Sequence, residues 1–305
     1  MNAVTNIVPL DRNAGLGASD AAAAVGLSKW KSPYELWLEK TGQASDEVDP
    51  DALPIVMGNA LEPVVLAHFT KRTGLTVSRR QEQVVDPTWP TRWVTLDGVA
   101  SDGGLIEAKS AGFADPAEWG DEHEDDAVPM QYYLQGQHGL ACTGAEFTYM
   151  PLIVLNRQFR LYRIRRDNDV IAQLTEHERL FWACVEARTP PDPVSLDDAA
   201  LRWPSDTSTE IVASSEIEAV VDRLRELREH QKGVDQEIDE LRLQIQTYMG
   251  PHGALLPSGG CKPLITWKQA KPSRVLDGPK LRVAHPEIYT QFEFERPGSR
   301  RFLVK

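Results

Sequence analysis

Asp97, Glu107 and Lys109 have the types and spacing that phosphodiester hydrolysis requires. In Leu105-Ile106-Glu107-Ala108-Lys109 the pleat of a strand sends Glu107 and Lys109 to one face and Ile106 and Ala108 to the other. Asp97, in Leu96-Asp97-Gly98, ends the preceding strand, and a hairpin through Asp102-Gly103-Gly104 brings it beside Glu107. Two such carboxylates suit a hard cation such as Mg²⁺, which keeps several waters. The metal steadies charge on the phosphate and helps ionise the attacking water, while an ammonium beside it steadies the nucleophile. Taken alone, the pattern fits a surface Glu–Lys pair on a half-buried strand equally well.

The elements that must position these residues follow from local signals. Ser19 before an alanine run ended by Gly26, and Ser32-Pro33-Tyr34-Glu35 with a stop at Gly42, predict two short helices, the second with a capping box. A helix is expected from about Gly58 to Thr73, with Pro63 in its first turn and Glu62 near its N-terminus. Strands are predicted at Leu75–Val85, Trp93–Leu96 and Leu105–Lys109, and a helix from Pro129 to Cys142. Strands at Phe147–Leu155 and Gln158–Arg166, turning at Asn156, precede a helix from Asp169 to Arg188. The domain organisation reads as 1–190, a proline-rich linker at 191–212, a heptad-patterned helix at 213–250 and a basic segment at 251–305. That last segment carries short strands at Leu264–Lys268 and Arg301–Lys305 with a small helix between. The heptad seam, with one polar position at Gln231, suits self-association or packing on the body, provided Gly233 does not break the helix.

Composition narrows the classes. With 305 residues, 41% hydrophobic and 26% charged, the chain has the make-up of a globular protein with one sizeable domain and an appendage, or two modest domains. No apolar run approaches the roughly 18 residues of a membrane span, so no membrane partner is expected. MNAVTNIVPLDRN lacks the apolar core of a signal peptide, and a cytoplasmic protein follows. Cys142, Cys184 and Cys261 are read as buried free thiols, not as disulfides or ligands of an iron–sulfur cluster. The net charge of −12 is uneven: residues 251–305 hold 10 Lys+Arg against 4 Asp+Glu, a tail able to follow phosphates or simply to be solvated. The acidic run Asp115–Asp126 reads as a solvated loop, and His138 as structural.

Residues 12–190 resemble the lambda-type exonucleases and YqaJ-like viral recombinases of the PD-(D/E)xK nuclease superfamily. The resemblance rests on Arg12 with Gly17-Ala18-Ser19-Asp20, Gly58-Asn59-Ala60-Leu61-Glu62, Leu96-Asp97-Gly98, Glu107-Ala108-Lys109, Trp119-Gly120, and Pro129 followed by Tyr133-Leu134-Gln135-Gly136-Gln137. It implies an α/β fold with a restriction-endonuclease-like core, a mixed sheet flanked by helices, here extended by a long C-terminal helix and a small α+β tail. It implies metal ligation by Asp97, Glu107 and the Ala108 carbonyl, a second-metal role for Glu62, and nucleophile-holding roles for Lys109 and Gln135. Arg12, Ser19 and Thr95 fall where the family grips a terminal 5′-phosphate, with threonine replacing serine at 95; Ser19 is equally suited to capping a helix. The proline of the superfamily's name is absent, Leu96 preceding Asp97. The implied function is Mg²⁺-dependent 5′-to-3′ digestion of double-stranded DNA ends, Mn²⁺ able to substitute. The implied setting is phage-type recombination in a bacterial host, with a single-strand annealing protein as partner and a ring-shaped homotrimer as the assembly. A structure- or sequence-specific endonuclease and a non-catalytic DNA-end binding protein are the alternatives.

Overall fold

The computed structural model describes residues 11–44, 51–112, 118–154, 157–295, 298 and 300–304. The chain divides into two units, Met1–Arg202 and Trp203–Lys305. In the first, β1 (Leu16–Gly17), α1 (Ala21–Ala24), α2 (Pro33–Lys40) and α3 (Leu53–Thr73) precede β2 (Val77–Ser78), β3 (Glu82–Val85), β4 (Arg92–Leu96), β5 (Gly98–Ala100), β6 (Leu105–Ile106) and β7 (Lys109–Ala111). Then come α4 (Met130–Thr143), β8 (Phe147–Val154), β9 (Gln158–Arg165), α5 (Asn168–Glu186) and α6 (Leu196–Arg202). The second unit holds α7 (Ser215–Met249), β10 (Ala254–Leu255), β11 (Ile265–Thr266), α8 (Gly278–Ala284) and α9 (Pro286–Gln291).

Two sheets share continuous stretches of chain. One has the order β1-β4-β3; the other runs β2-β5-β6-β8-β7, with β9 also on β8. Because β6 and β7 pair with β8 in one unbroken parallel register, Leu105 opposite Thr148 and Lys109 opposite Leu152, they are halves of a single strand interrupted at Glu107 and Ala108. Likewise β4 leads into β5 across Asp97, where the chain passes from one sheet to the other. Their partners β3 and β2 are split at the corresponding place, where Arg79 and Gln81 adopt positive φ angles of 51° and 56°. The predicted strand Leu75–Val85 is therefore two strands in different sheets.

Helices cover the mixed sheet, as the α/β expectation requires. The α3 residues Leu66 and Phe69 pack on Ala100 and Ile106. The α4 residues Leu140 and Cys142 pack on Val94, Leu96 and Leu105, each buried large side chain contributing about 1.5–3 kcal/mol. On its other side α4 meets α1 and α5 through Leu134, Ala21, Ala22 and Leu174. Close approach of α4 to β9 needs a glycine at 136, where a Cβ would stand 2.8 Å from Ile164 Cδ1. The capping box of α2 forms as its sequence dictates: Glu35 N–H donates to Ser32 Oγ, and Ser32 N–H to Glu35 Oε2.

Several expectations are corrected. Helix α3 starts at Leu53, so Pro63 and Glu62 lie inside it. Proline removes the bond to the carbonyl four residues back, that of Asn59, which is on an exposed residue and can turn to water. This helix is also long and apolar enough, by length and composition, to cross a membrane, although no uninterrupted apolar run produces that average. Part of the presumed linker is helix α6, whose Asp198 is buried and accepts from Ser32 Oγ at 2.5 Å. Of the thiols, Cys142 is buried but Cys184 is half-buried and Cys261 exposed. The acidic run is tied down where it is described: Glu122 accepts from Leu161 N–H, Asp126 accepts from Arg165 N–H, and Asp125 pairs with Arg165. Asp115 in that run, the turn residues Leu155 and Asn156, and the N-terminal Met1–Leu10 lie outside the described residues. Residues 301–304 form no strand, Lys305 lies outside the described residues, and the single small helix expected before them is two, α8 and α9.

Candidate active site

The two strand interruptions lie side by side, and each carries a carboxylate. Asp97 Oδ2 accepts from Ala108 N–H at 2.8 Å, which bridges the break between β4 and β5 to the break between β6 and β7. Glu107 Oε1 accepts from Lys109 Nζ at 2.8 Å and from Gln135 Nε2 at 2.6 Å; Lys109 Nζ also donates to Gln135 Oε1 at 2.9 Å. The Lys109 ammonium stands 4.8 Å from the centroid of Tyr132, one turn before Gln135 on α4. Strand alternation sends Glu107 and Lys109 to the same side, and α4 delivers Gln135 to both.

Charge is out of balance here. Burial, and then the neighbouring Glu107 carboxylate, push the Asp97 carboxyl up to about 8, against the pull of the Ala108 N–H and the Lys109 ammonium. Burial, the largest single influence, would lower Lys109, but Glu107, Tyr132 and Asp97 together outweigh it and hold the ammonium above its ordinary value. Among the described residues no three His, Cys, Asp or Glu side chains converge into a ready-made metal cage. A cation held by one or two carboxylates, with waters and substrate oxygens completing its shell, needs no such cage. The surplus negative charge that burdens Asp97 is what such a cation would relieve, so the donor set fits.

Glu62 is not in this contact set. Its carboxylate accepts from Gln81 Nε2 at 3.1 Å and Arg80 at 3.3 Å, and it lines a cavity of about 310 Å³ with Asp97, Ala108, Lys109 and Ser110. Asp97 also borders a second cavity, of about 390 Å³, which Arg12, Ser19 and Thr95 line together with Glu107 and Gln135. The three residues read from sequence as a phosphate grip thus share one space with the carboxylates.

Sequence reasoning missed Gln83, Trp93 and Asp20 on the wall of that space, and Lys40 behind it. Gln83 stands opposite Thr95 in the β3–β4 register, which correct strand pairing would have disclosed. Lys40 Nζ donates to Asp20 Oδ2 and to the Arg12 carbonyl, both at 2.6 Å, so one buried ammonium ties together the turns that carry Arg12 and Ser19. Nothing in the spacing of Lys40 signals this.

A second charged group joins β4, α4 and α5. Arg92 pairs with Asp86 and donates to Glu178 at 3.2 Å; His138 places Nδ1 2.6 Å from Glu178 and Nε2 2.9 Å from the Trp93 carbonyl. Burial would lower the His138 pKa, but Glu178 and Cys142 outweigh it and raise it to about 10. His138 is therefore an imidazolium with both ring nitrogens donating.

Residues 10–146 match the pattern of the YqaJ-like viral recombinase domain. The chain is 32% identical over 177 residues to the uncharacterized protein YqaJ of Bacillus subtilis (strain 168), a match covering 57% of this chain and 54% of that protein; it thus spans about half of that relative's length. Among solved structures it is similar to an alkaline exonuclease (LHK-Exo) from Laribacter hongkongensis, with 25% identity, 58% of this chain and 91% of the other covered, and a TM-score of 0.46. It is also similar to a phage related exonuclease from Haemophilus somnus 129PT, with 15% identity, 57% and 94% covered, and a TM-score of 0.41.

Proposed function

From the match of residues 10–146 to the YqaJ-like viral recombinase domain, we propose that this chain is a metal-dependent DNA nuclease that digests double-stranded DNA from 5′ ends. The observation that carries the reading is the contact set of Glu107, Lys109 and Gln135 beside Asp97, opening on the cavity that Arg12, Ser19 and Thr95 line. Asp97, Glu107 and the Ala108 carbonyl would hold the divalent cation, Mg²⁺ or Mn²⁺, with Glu62 serving a second one. When bound, such a cation neutralises charge on the scissile phosphate and lowers the pKa of water. Lys109 and Gln135, fixed by each other and by Glu107, orient the attacking water and steady its charge. The guanidinium of Arg12 and the hydroxyls of Ser19 and Thr95 receive a doubly charged terminal 5′-phosphate through charge-assisted hydrogen bonds, which holds the adjacent linkage in place for attack. The product is a 3′ single strand suited to an annealing protein.

The test is degradation of linear duplex bearing 5′-phosphate or 5′-hydroxyl ends, with Mg²⁺ or chelator, beside covalently closed circles. Phosphorylated ends should be degraded at least about tenfold faster, and closed circles should survive. Arg12→Ala should narrow the gap between the two ends. Rapid cutting of closed circles would favour an endonuclease; absence of all cleavage with either metal would favour an end-binding protein.

A further inference from the structure

Asp20 brings a carboxylate to the cavity that Arg12, Ser19 and Thr95 also line. A negative charge on that wall opposes a dianion which the Arg12 guanidinium attracts. It also competes for the guanidinium itself, since Arg12 and Asp20 border the same space and, among the described residues, Arg12 enters no ion pair of its own. The carboxylate is met from behind instead. Lys40, the last residue of α2, donates from Nζ to Asp20 Oδ2 and to the Arg12 carbonyl, both at 2.6 Å, and stands 6.0 Å from the ring centroid of Trp93, another residue of that wall.

A lysine in the last turn of a helix ordinarily reaches into solvent, where it complements the helix dipole. Here the Lys40 side chain is 3% exposed and that of Asp20 8%. A buried ion pair is weak evidence of stability, because apolar side chains of similar volume often serve as well. The two members of this pair have separable tasks. Asp20 Oδ2 also accepts from Gly17 N–H at 3.2 Å, which closes the turn that bears Ser19. The ammonium cancels the charge which that closure brings and fixes the carbonyl of Arg12.

On the end-phosphate reading of this cavity, we propose that Lys40 is its positioning residue: it occupies the Asp20 carboxylate and so leaves the Arg12 guanidinium to a terminal phosphate. Arg12, Asp20 and Lys40 together carry one net positive charge. Without the ammonium they carry none, and without the carboxylate they carry two. The attraction for a terminal phosphate follows that order.

The experiment measures, for the full chain in Mg²⁺, the ratio of single-turnover rates on linear duplex with 5′-phosphate and with 5′-hydroxyl ends, which divides out any loss common to both substrates. Lys40→Met should lower the ratio at least about tenfold and Asp20→Asn should raise it at least about twofold. The double variant should return it to within about threefold of the unsubstituted chain, because the two changes are coupled through one contact. A merely structural lysine would lower the ratio in both single variants or in neither. Asp20→Asn keeps an amide oxygen for Gly17 N–H, so it carries the test even where Lys40→Met fails to fold. A ratio unchanged by Lys40→Met, a ratio not raised by Asp20→Asn, or a double variant as low as Lys40→Met overturns the role of Lys40 while the preference of the unsubstituted chain stands. A ratio near one in the unsubstituted chain overturns the end-phosphate reading and the role of Lys40 with it.

Discussion

Two charged clusters that meet the same helix α4, one at Gln135 and the other at His138, are built from nearly the same residue types and reach opposite ends. The inner one sets Asp86 and Glu178 against Arg92 and the imidazolium of His138, all with side chains at most 4% exposed. Two negative charges meet two positive ones, and each donor has a carboxylate, hydroxyl or carbonyl to face. The outer one sets Asp97 and Glu107 against Lys109 alone, opens on two cavities, and drives a carboxyl up to about 8. A balanced cluster is a scaffold. An unbalanced one spends stability to keep a place for charge that arrives from outside.

Removing charge from the two clusters should therefore have opposite consequences. The largest effect is expected at the outer one: Asp97→Asn, Glu107→Gln or Lys109→Ala should each lower DNA degradation by about 10⁴-fold or more, the scale seen when one member of an interdependent set is lost. Release of end label from linear duplex in Mg²⁺, beside an unchanged far-ultraviolet spectrum, checks this; near-normal turnover by any of them would end the assignment. At the inner cluster Glu178→Gln or Arg92→Met should cost about 3–5 kcal/mol, because a buried charge is left without its partner. Urea unfolding measures this, and a loss under about 1 kcal/mol would mean that the cluster is not the scaffold described.

The smallest effect is a pH dependence, and its sign differs between variants. The folded His138 pKa, about 10, exceeds the unfolded value near 6.5, so its contribution is complete below about pH 6.5 and lost as pH rises through 10. Asp97 is a carboxyl raised from 3.8 to about 8, so its ionisation lowers stability as pH climbs between those values. In chelator at pH 8.5 Asp97→Asn should then raise the melting temperature, by about 2–4 °C for each kcal/mol relieved, whereas Glu178→Gln lowers it. A melting temperature for Asp97→Asn below that of the unsubstituted chain would show that the outer cluster is balanced after all.

The outer cluster was more legible in the sequence than the inner one for a physical reason. Glu107 and Lys109 are two residues apart on one strand, so local geometry alone fixes their common face. Asp97 is a hairpin away. Arg92 and Glu178 are separated by 86 positions, and only the packing of α5 against β4 brings them together. The strand breaks at Glu107–Ala108 and Asp97 carry no proline to announce them: at Asp97 the chain passes between two sheets, whereas β6 and β7 stay on β8 in one register on either side of Glu107 and Ala108. Helix α3 starts five residues before its expected N-terminus because Pro63, whose usual place is a first turn, is carried internally where the exposure of Asn59 permits it. Asp198 falls in a stretch whose prolines suggest a linker, although the residue is 1% exposed.

That buried carboxylate also bears on the order in which the protein can be finished. Ser32, which caps α2, gives its hydroxyl to Asp198 across 166 positions, and α2 carries Lys40, which holds the turn of Arg12. At roughly 5–20 residues per second, Asp198 joins the growing chain some 8–33 s after Ser32. Until α6 has left the ribosome, the turns that carry Arg12 and Ser19 lack their last fastening, while the sheet bearing Asp97, Glu107 and Lys109 is already complete in sequence. A shortened chain stopping at residue 190 should inherit that unfinished state, and one stopping at Arg202 should not.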